Sequence, residues 1–239
     1  MGTAPGRARG RRDTLDAVSA RYDCAQPEER ERGITRAVTA TSAGQLVVLP
    51  TDTVYGVGCD AFSPSAVSDL LAAKGRGRDM PPPVLIGHAR TLDGLAVNVP
   101  REVRELAEAF WPGALTIVCR AQPSLDWDLG ETFGTVAIRM PLHPVALQLL
   151  EATGPMAVSS ANRSGRPAAI TCAQAEEELG EAVTIYLDGG RCPEGLPSTI
   201  VDGTREIPRV LRIGALPLER LREVVPDLAG LEPEAADLE

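Results

Sequence analysis

Three cations stand close together in the segment LLAAKGRGRD, and the first of them is the only lysine of the chain. Lys74, Arg76 and Arg78 follow an apolar stretch with helical spacing, and the chain's other basic residues are all arginines. Lysine is a compact point charge that fits among small anionic oxygens, whereas arginine presents a wide planar fork. The segment therefore indicates a loop that binds phosphate or carboxylate. The ordinary alternative is a set of cations that caps a helix C-terminus.

Polar residues also stand beside predicted strands at three other places. PTDTVYG carries Thr51 and Tyr55, SSANRSG carries Ser160 and Asn162, and PSTIVDG carries Ser198. In α/β proteins, loops at strand ends are where small ligands bind. Each motif alone is also typical of an ordinary turn. Taken together, they predict a polar ligand site at one edge of a sheet.

The elements that must position these residues alternate between strand and helix. Short β-branched runs predict strands near 45–50, 83–87, 114–120, 135–140, 156–160, 183–190, 198–203 and 208–214. Helical spacing, caps and breakers predict helices near 33–44, 63–74, 100–111, 143–154 and 171–180. This order predicts an α/β fold with helices packed on a sheet, and the strand-rich end favours a mixed sheet. The stretch PTDTVYGVG is interpreted as a turn.

Composition excludes several classes of protein. A net charge of −9 argues against a protein that binds nucleic acid over its whole surface. The five cysteines are odd in number and lack C-x-x-C spacing, which argues against structural zinc and fits a reducing cytoplasm. Apolar runs are too short to predict a membrane span. We expect no protein-bound metal site and no membrane association.

The polar blocks resemble those of one family. The sequence is similar to the YrdC family of L-threonylcarbamoyladenylate synthases, whose K-x-R and S-x-N signature stands here as Lys74-Gly75-Arg76 and Ser160-Ala161-Asn162. The blocks PTDTVYG, WPGALT, SANRSG and STIVD follow in family order, and the resemblance extends from about Gly33 to Gly214. The chain departs from the pattern at Gly77, where many members have proline.

The resemblance implies a fold and a domain plan. It implies a twisted mixed α/β sheet with flanking helices around a concave, positively charged cavity. The catalytic domain is expected over residues 33–214, in the short, single-domain form. Residues 1–32 would be a basic arm and lead-in, and residues 215–239 a C-terminal helix and an acidic tail.

The resemblance also implies an activity. Members make L-threonylcarbamoyl-AMP and pyrophosphate from L-threonine, bicarbonate or CO2, and ATP, with Mg2+ arriving on ATP. A separate transferase complex then modifies tRNAs that read ANN codons. We expect transient contact with that complex, weak or indirect contact with tRNA, and a cytoplasmic location. The alternative is a non-catalytic relative that binds RNA or a nucleotide.

Residue roles carry over at the matching positions. Lys74 and Arg76 are the implied catalytic residues, because cations would offset repulsion between a carbamate and the α-phosphate. The implied ATP contacts are Lys74, Arg76, Arg78, Thr116, Asn162, Thr171 and Arg212. The implied threonine contacts are Thr51, Tyr55, Arg120, Ser160 and Ser198. The spacing before Thr171 is one residue longer than the usual pattern.

Overall fold

Eleven strands form one mixed sheet in the computed structural model, which describes residues 19–193 and 195–232. The strands are β1 (Ala20–Asp23), β2 (Val47–Leu49), β3 (Gly56–Asp60), β4 (Val84–Leu85), β5 (Ala96–Val97), β6 (Leu115–Ala121), β7 (Thr135–Arg139), β8 (Met156–Ser160), β9 (Ile185–Asp188), β10 (Thr199–Asp202) and β11 (Arg209–Arg212). Their order across the sheet is β1-β9-β2-β3-β8-β4-β7-β6-β10-β11, with β5 paired to β6. Parallel and antiparallel pairs both occur, as the sequence predicted.

Seven α-helices connect the strands within the described residues. They are α1 (Pro27–Ser42), α2 (Pro64–Lys74), α3 (Leu92–Leu95), α4 (Arg101–Phe110), α5 (Pro144–Thr153), α6 (Cys172–Leu179) and α7 (Leu218–Arg222). Single 3-10 turns lie at Ala89–Thr91 and Gly180–Ala182. In this part of the chain, no helix combines the length and the apolar character that crossing a membrane requires.

Helix α2 shows how the sequence sets an element that positions the site. It begins after Ser63, whose side chain accepts a hydrogen bond from the backbone N–H of Ala66, and Pro64 occupies its first turn. It ends at Gly75, which has φ of 63° and so adopts the left-handed conformation that glycine favours. The helix therefore stops directly after Lys74.

Two apolar cores lie between the sheet and the helices. Ile34 of α1 and Leu149 of α5 share one buried cluster, and the two helices pack against each other. Leu70 of α2 and Leu106 of α4 belong to the other cluster. The helices therefore hold the sheet in place while the loops at the strand ends remain available for a site.

One predicted turn is a strand. β3 occupies the second half of PTDTVYGVG and lies between β2 and β8. Its glycines allow close approach, because a Cβ at Gly56 would lie 2.6 Å from a methyl carbon of Val158. The turn interpretation was wrong for residues 56–58, since the glycines serve strand packing rather than chain reversal.

The predicted domain limits fall as follows. β1 pairs with β9, and α1 starts at Pro27, so the boundary expected at residue 33 lies inside a helix. α7 lies within the segment 215–239. The basic arm before residue 19 and the acidic end after residue 232 lie outside the described residues.

Candidate active site

A cavity of about 420 Å³ opens beside the central strands. Of the residues singled out from the sequence, its wall contains Thr51, Tyr55, Arg76, Thr116, Ser160, Ser198 and Arg212. It also contains Arg139, and no aspartate or glutamate lines it in the described part of the chain. Hydroxyl groups and guanidinium groups thus face a common space, which suits an anionic ligand.

A directed hydrogen-bond chain orders the turn after β2. Thr51 Oγ1 donates to the carbonyl oxygen of Val54 at 2.7 Å and accepts from the backbone N–H of Thr53 at 3.1 Å. Because the single Thr51 proton is used there, the Thr53 hydroxyl must be the donor in the 3.0 Å bond between the two hydroxyls. The Thr51 hydroxyl is therefore saturated by the protein itself.

Arg139 fixes this turn from the neighbouring strand. Its Nη1 donates to Thr53 Oγ1 at 2.8 Å, its Nη2 to Asp52 Oδ1 at 2.6 Å, and its Nε to the carbonyl oxygen of Gly113 at 2.9 Å. The arginine is 6% exposed. Burial lowers its pKa, and the Asp52 carboxylate opposes that shift. Arg139 and Asp52 together therefore add no net charge to the cavity.

A second cluster of hydrogen-bonded side chains is centred on Ser198. Its hydroxyl lies 2.8 Å from Thr116 Oγ1, across the parallel pair of β6 and β10. Its carbonyl oxygen accepts from Arg212 Nη2 at 2.9 Å and from Nε at 3.2 Å. Ser198 thereby holds the Arg212 guanidinium at the cavity wall.

Arg76 and Arg212 supply positive charge that forms no ion pair with a carboxylate of the described residues. Within residues 19–193 and 195–232, neither guanidinium has an acidic side chain within ion-pair distance. Burial lowers the pKa of both, and for Arg212 the nearby charge of Arg76 lowers it further. Arg76 Nη1 donates to Ser159 Oγ at 3.3 Å, while its buried Nε has no acceptor among the described residues. An anion placed between them would relieve this repulsion.

Lys74 lies behind the wall and is only 1% exposed. Its Nζ donates to the carbonyl oxygens of Ser160 at 2.5 Å and Asn162 at 2.7 Å. The backbone N–H of Ser164 in turn donates to the Lys74 carbonyl oxygen at 2.8 Å. Lys74 thus connects the end of α2 to the loop after β8.

Asn162 is oriented by the same loop. Its side-chain N–H groups donate to the carbonyl oxygens of Arg163 at 3.0 Å and Arg166 at 2.6 Å. Its Oδ1 is buried and has no donor among the described residues. Asn162 does not line the cavity. It therefore affects the cavity only through the loop that it stabilises.

Besides Lys74 and Asn162, three further predicted site residues lie away from the cavity wall. Arg78 is exposed and pairs with Asp128 at 2.7 Å. Arg120 is exposed, and its Nη2 lies 3.4 Å from the carbonyl oxygen of Thr204. Thr171 caps α6, where its hydroxyl accepts from the backbone N–H of Gln174 at 3.3 Å. The structure brings none of the three to the cavity.

Tyr55 is part of the wall and is held from behind. Its hydroxyl donates to the carbonyl oxygen of Gly190 at 2.5 Å and accepts from the backbone N–H of Gly189 at 3.1 Å. The residue is completely buried. These contacts hold the Tyr55 ring in place at the cavity wall.

The sequence reasoning gave no site role to four residues that line or support the cavity: Asp52, Thr53, Ser159 and Arg139. The first three stood inside motifs that were already quoted, next to residues that were selected. Arg139 ends an ordinary strand, TVAIR, and only its strand-end position could have indicated a site.

Two negative findings limit the chemistry. The described residues contain no cluster of three histidine, cysteine, aspartate or glutamate side chains that could hold a metal ion. The five cysteines are free and buried. Burial raises the pKa of the Cys59 and Cys119 thiols to about 12, so they are inert as nucleophiles near neutral pH.

Comparison with known proteins decides the family. The sequence model of the Sua5/YciO/YrdC family, described as "Telomere recombination", matches residues 39–214. The chain belongs to the Sua5/YciO/YrdC family. The resemblance read from the K-x-R and S-x-N blocks is thereby confirmed.

Two relatives within this family are informative. A Mycobacterium tuberculosis protein, provisionally named a threonylcarbamoyl-AMP synthase, is 58% identical over 204 residues, which cover 85% of this chain and 94% of that protein. The threonylcarbamoyl-AMP synthase of Pyrococcus abyssi is 38% identical over 186 residues, covering 77% of this chain and 55% of that protein.

Solved structures of Sua5 share the fold. The crystal structure of Pyrococcus abyssi Sua5 complexed with L-threonine superposes with a TM-score of 0.83 at 34% identity. The match covers 89% of this chain and 62% of the Sua5 chain, so this chain spans about three fifths of that protein. The expected α/β fold with a mixed sheet and flanking helices is confirmed.

Proposed function

We propose that this chain is a threonylcarbamoyl-AMP synthase. The observation that carries the proposal is the cavity with two guanidinium groups, Arg76 and Arg212, that form no ion pair with a carboxylate of the described residues. The named activity of relatives that match most of the chain supports it. The substrates would be L-threonine, bicarbonate or CO2, and ATP.

The chemistry requires two anions to meet. The neutral threonine amine bonds to the carbon of CO2 and gives up a proton to solvent, which yields a carbamate anion. A carbamate oxygen then bonds to the α-phosphorus, the bond from that phosphorus to the bridging oxygen breaks, and pyrophosphate leaves with the electron pair. Carbamate and triphosphate repel each other, so cations fixed in a cavity stabilise the transition state more than flexible ones would. Arg76 and Arg212 would bind the phosphate oxygens, and holding the reactants in line would supply much of the remaining acceleration.

The hydroxyl groups would hold threonine or its carbamate. Ser160 and Ser198 line the cavity, and a structure of a relative contains L-threonine. Thr116 shares a hydrogen bond with Ser198. Thr51 would contribute to the wall, because its hydroxyl is saturated in the turn.

Mg2+ would be bound mainly through ATP. The cavity wall in the described residues has no carboxylate, and magnesium usually keeps several waters and binds substrate phosphates. The metal would supply charge neutralisation on the phosphates when it is bound.

The rest of the proposal concerns cellular context. We propose that the product passes to tRNA through a separate transferase complex, as the family resemblance implies, with weak or indirect contact to tRNA. The net charge of −9 supports weak contact with a polyanion. Five unpaired cysteines support a cytoplasmic location.

Pyrophosphate release by the purified protein tests the function. We expect release from ATP only when both L-threonine and bicarbonate are present. ATP binding without release under these conditions would instead favour the non-catalytic nucleotide-binding alternative. Equal release with serine or valine would contradict the threonine assignment.

A further inference from the structure

An exposed phenylalanine stands beside the mouth of the cavity, outside its wall. Phe133 is 91% exposed, the largest value among the large apolar residues that the structure describes. Its chain neighbours Thr132 and Thr135 line the cavity, whereas Phe133 does not. A single exposed apolar residue is ordinary on a protein surface, so exposure alone assigns no role to this ring.

The backbone at Phe133 separates it from the other exposed apolar residues. Phe133 and Gly134 are the central residues of a turn, which the N–H of Thr135 closes by donating to the carbonyl oxygen of Thr132 at 3.0 Å. Their φ angles are 50° and 76°, and two positive values are the pattern of a type I′ turn. Glycine, asparagine and aspartate are the usual residues there, because a bulky side chain crowds the backbone. Phenylalanine at this position strains the turn, and a ring so exposed returns little packing within the fold.

The loop that joins β6 to β7 holds this ring in a fixed place. The N–H of Glu131 donates to the carbonyl oxygen of Arg78 at 2.7 Å, and the Arg78 side chain pairs with Asp128 at 2.7 Å. The rings of Trp127 and Phe62 stack with their centroids 5.5 Å apart. An aromatic ring presented on a fixed loop loses little conformational freedom when a partner buries it, which makes it an effective interface anchor.

The charges around the ring select the kind of partner. Asp126 and Glu131 are exposed on the same loop, and neither forms an ion pair with a cation of the described residues. Two unpaired carboxylates repel the phosphates of RNA. They favour a protein whose apolar pocket is bordered by lysine or arginine.

We propose that Phe133, Asp126 and Glu131 form a docking surface for the protein that consumes the product of this chain. The proposal rests on the proposed synthase function. The product would be a mixed anhydride of a carbamic acid and a phosphate, so the reaction that consumes it must be an acyl transfer. A partner docked at the cavity mouth would receive this reactive group while water is kept away from it.

The chemistry of that transfer is simple to balance. An amine nitrogen of the acceptor bonds to the carbamoyl carbon, and the bond from that carbon to the phosphate oxygen breaks. AMP leaves with the electron pair, and the attacking nitrogen gives up a proton. The docking surface takes no part in these steps, because Phe133 does not line the cavity.

The test replaces the ring without disturbing the turn. F133N removes the apolar anchor and places asparagine, which tolerates positive φ, in the strained position. D126N/E131Q removes the two charges and keeps the side-chain shapes. I207N is the matched control, since Ile207 is 56% exposed between β10 and β11, at the opposite end of these strands from Ser198 and Arg212.

Two assays use the tRNA threonylcarbamoyl transferase complex of the same organism as the probe. The first follows transfer of labelled threonine to tRNA with this chain limiting, and the second measures binding to the complex by biolayer interferometry. We expect F133N to lower both the transfer rate and the affinity at least about 10-fold, as loss of a central aromatic anchor does. D126N/E131Q should slow association and weaken its dependence on salt. I207N should match wild type.

Pyrophosphate release without the complex separates docking from the reaction itself. We expect F133N to release pyrophosphate as wild type does, and its free energy of unfolding in urea to stay level or rise because the turn is relieved. Transfer and binding at the wild-type level in F133N would overturn the proposal, as would a wild-type chain that does not bind the complex. A tenfold loss of pyrophosphate release in F133N would also overturn it, by placing the ring in the reaction.

Other occupants and the failure of the synthase function give different results. If F133N instead loses binding to free tRNA, or loses a self-association seen by sedimentation of wild type, the surface serves RNA or a second copy and the proposal is wrong. If wild type releases no pyrophosphate with all substrates present, the synthase function fails, and binding to the complex alone decides the docking surface.

Discussion

Lys74 Nζ lies 2.7 Å from the carbonyl oxygen of Asn162, 88 positions further along the chain. With the Ser160 carbonyl oxygen at 2.5 Å, this contact joins the end of α2 to the loop after β8. The contact explains the only lysine of the chain, since a compact ammonium fits between two carbonyl oxygens where a wide guanidinium would not. The predicted contact of Lys74 with ATP stays a prediction.

Replacing Lys74 should therefore affect both the loop and the reaction. K74M keeps the approximate volume but leaves two buried carbonyl oxygens without their donor, which costs about 2–5 kcal/mol in free energy of unfolding. We expect urea unfolding to show this loss and pyrophosphate release to fall at least about 100-fold. K74R should also lose most activity because the larger head displaces the loop. Full activity in K74R would contradict this account, and R90K on the exposed surface serves as the control.

The pKa of Lys74 gives a separate prediction. Burial, and secondarily the charge of Arg76, lowers it from 10.5 to about 8. Between pH 8 and 10.5 the unfolded chain binds a proton that the folded chain has released, so this group makes the protein more stable as pH rises. Because the chain has one lysine, ¹³C-lysine labelling gives a single side-chain signal. We expect its titration midpoint near pH 8; a midpoint above 10 would show that Lys74 is solvated.

The sheet was largely predictable because its strands are short β-branched runs. Residues 115–121 and 156–160, for example, were expected as strands and are strands. β3 could not be recognised in the same way, since its two glycines are typical of a turn. The glycines are required because Val158 of the neighbouring strand packs against them, and that contact is known only from the structure.

Residues that line the cavity were predictable where a motif's side chains face it, and their roles in the reaction stay predictions. Arg76 and Ser198 do so, while Thr171 instead caps a helix. Arg139 could not be found from the sequence, because its importance comes from Asp52 and Thr53, which lie more than 80 positions earlier. Long-range pairs of this kind leave no local pattern.

Arg76 and Arg212 should be needed chiefly for the nucleotide. R76Q and R212Q remove one positive charge each from the cavity, and loss of a preorganised donor to a developing charge usually costs 10²- to 10³-fold in rate. We expect kcat/KM for ATP to fall by about this factor in both variants. The free energy of unfolding should rise or stay level, because burial lowers the pKa of Arg212, repulsion from Arg76 lowers it further, and removing one charge relieves that repulsion. Calorimetric titration with ATP and urea unfolding measure the two effects, and unchanged ATP affinity in R212Q would refute the phosphate assignment.

For Thr171 we expect the reverse of the result for Arg76 and Arg212, namely a loss of stability without a loss of activity. Its hydroxyl accepts from the Gln174 N–H at the start of α6, and it does not line the cavity. T171A should cost about 1 kcal/mol of stability through loss of the helix cap, whereas T171S should keep it. We expect KM for ATP and kcat to match wild type in both variants when assayed well below the melting temperature. If T171A instead raised KM for ATP tenfold and T171S restored it, the hydroxyl would contact the nucleotide, as the family resemblance implied, and the cap would be secondary.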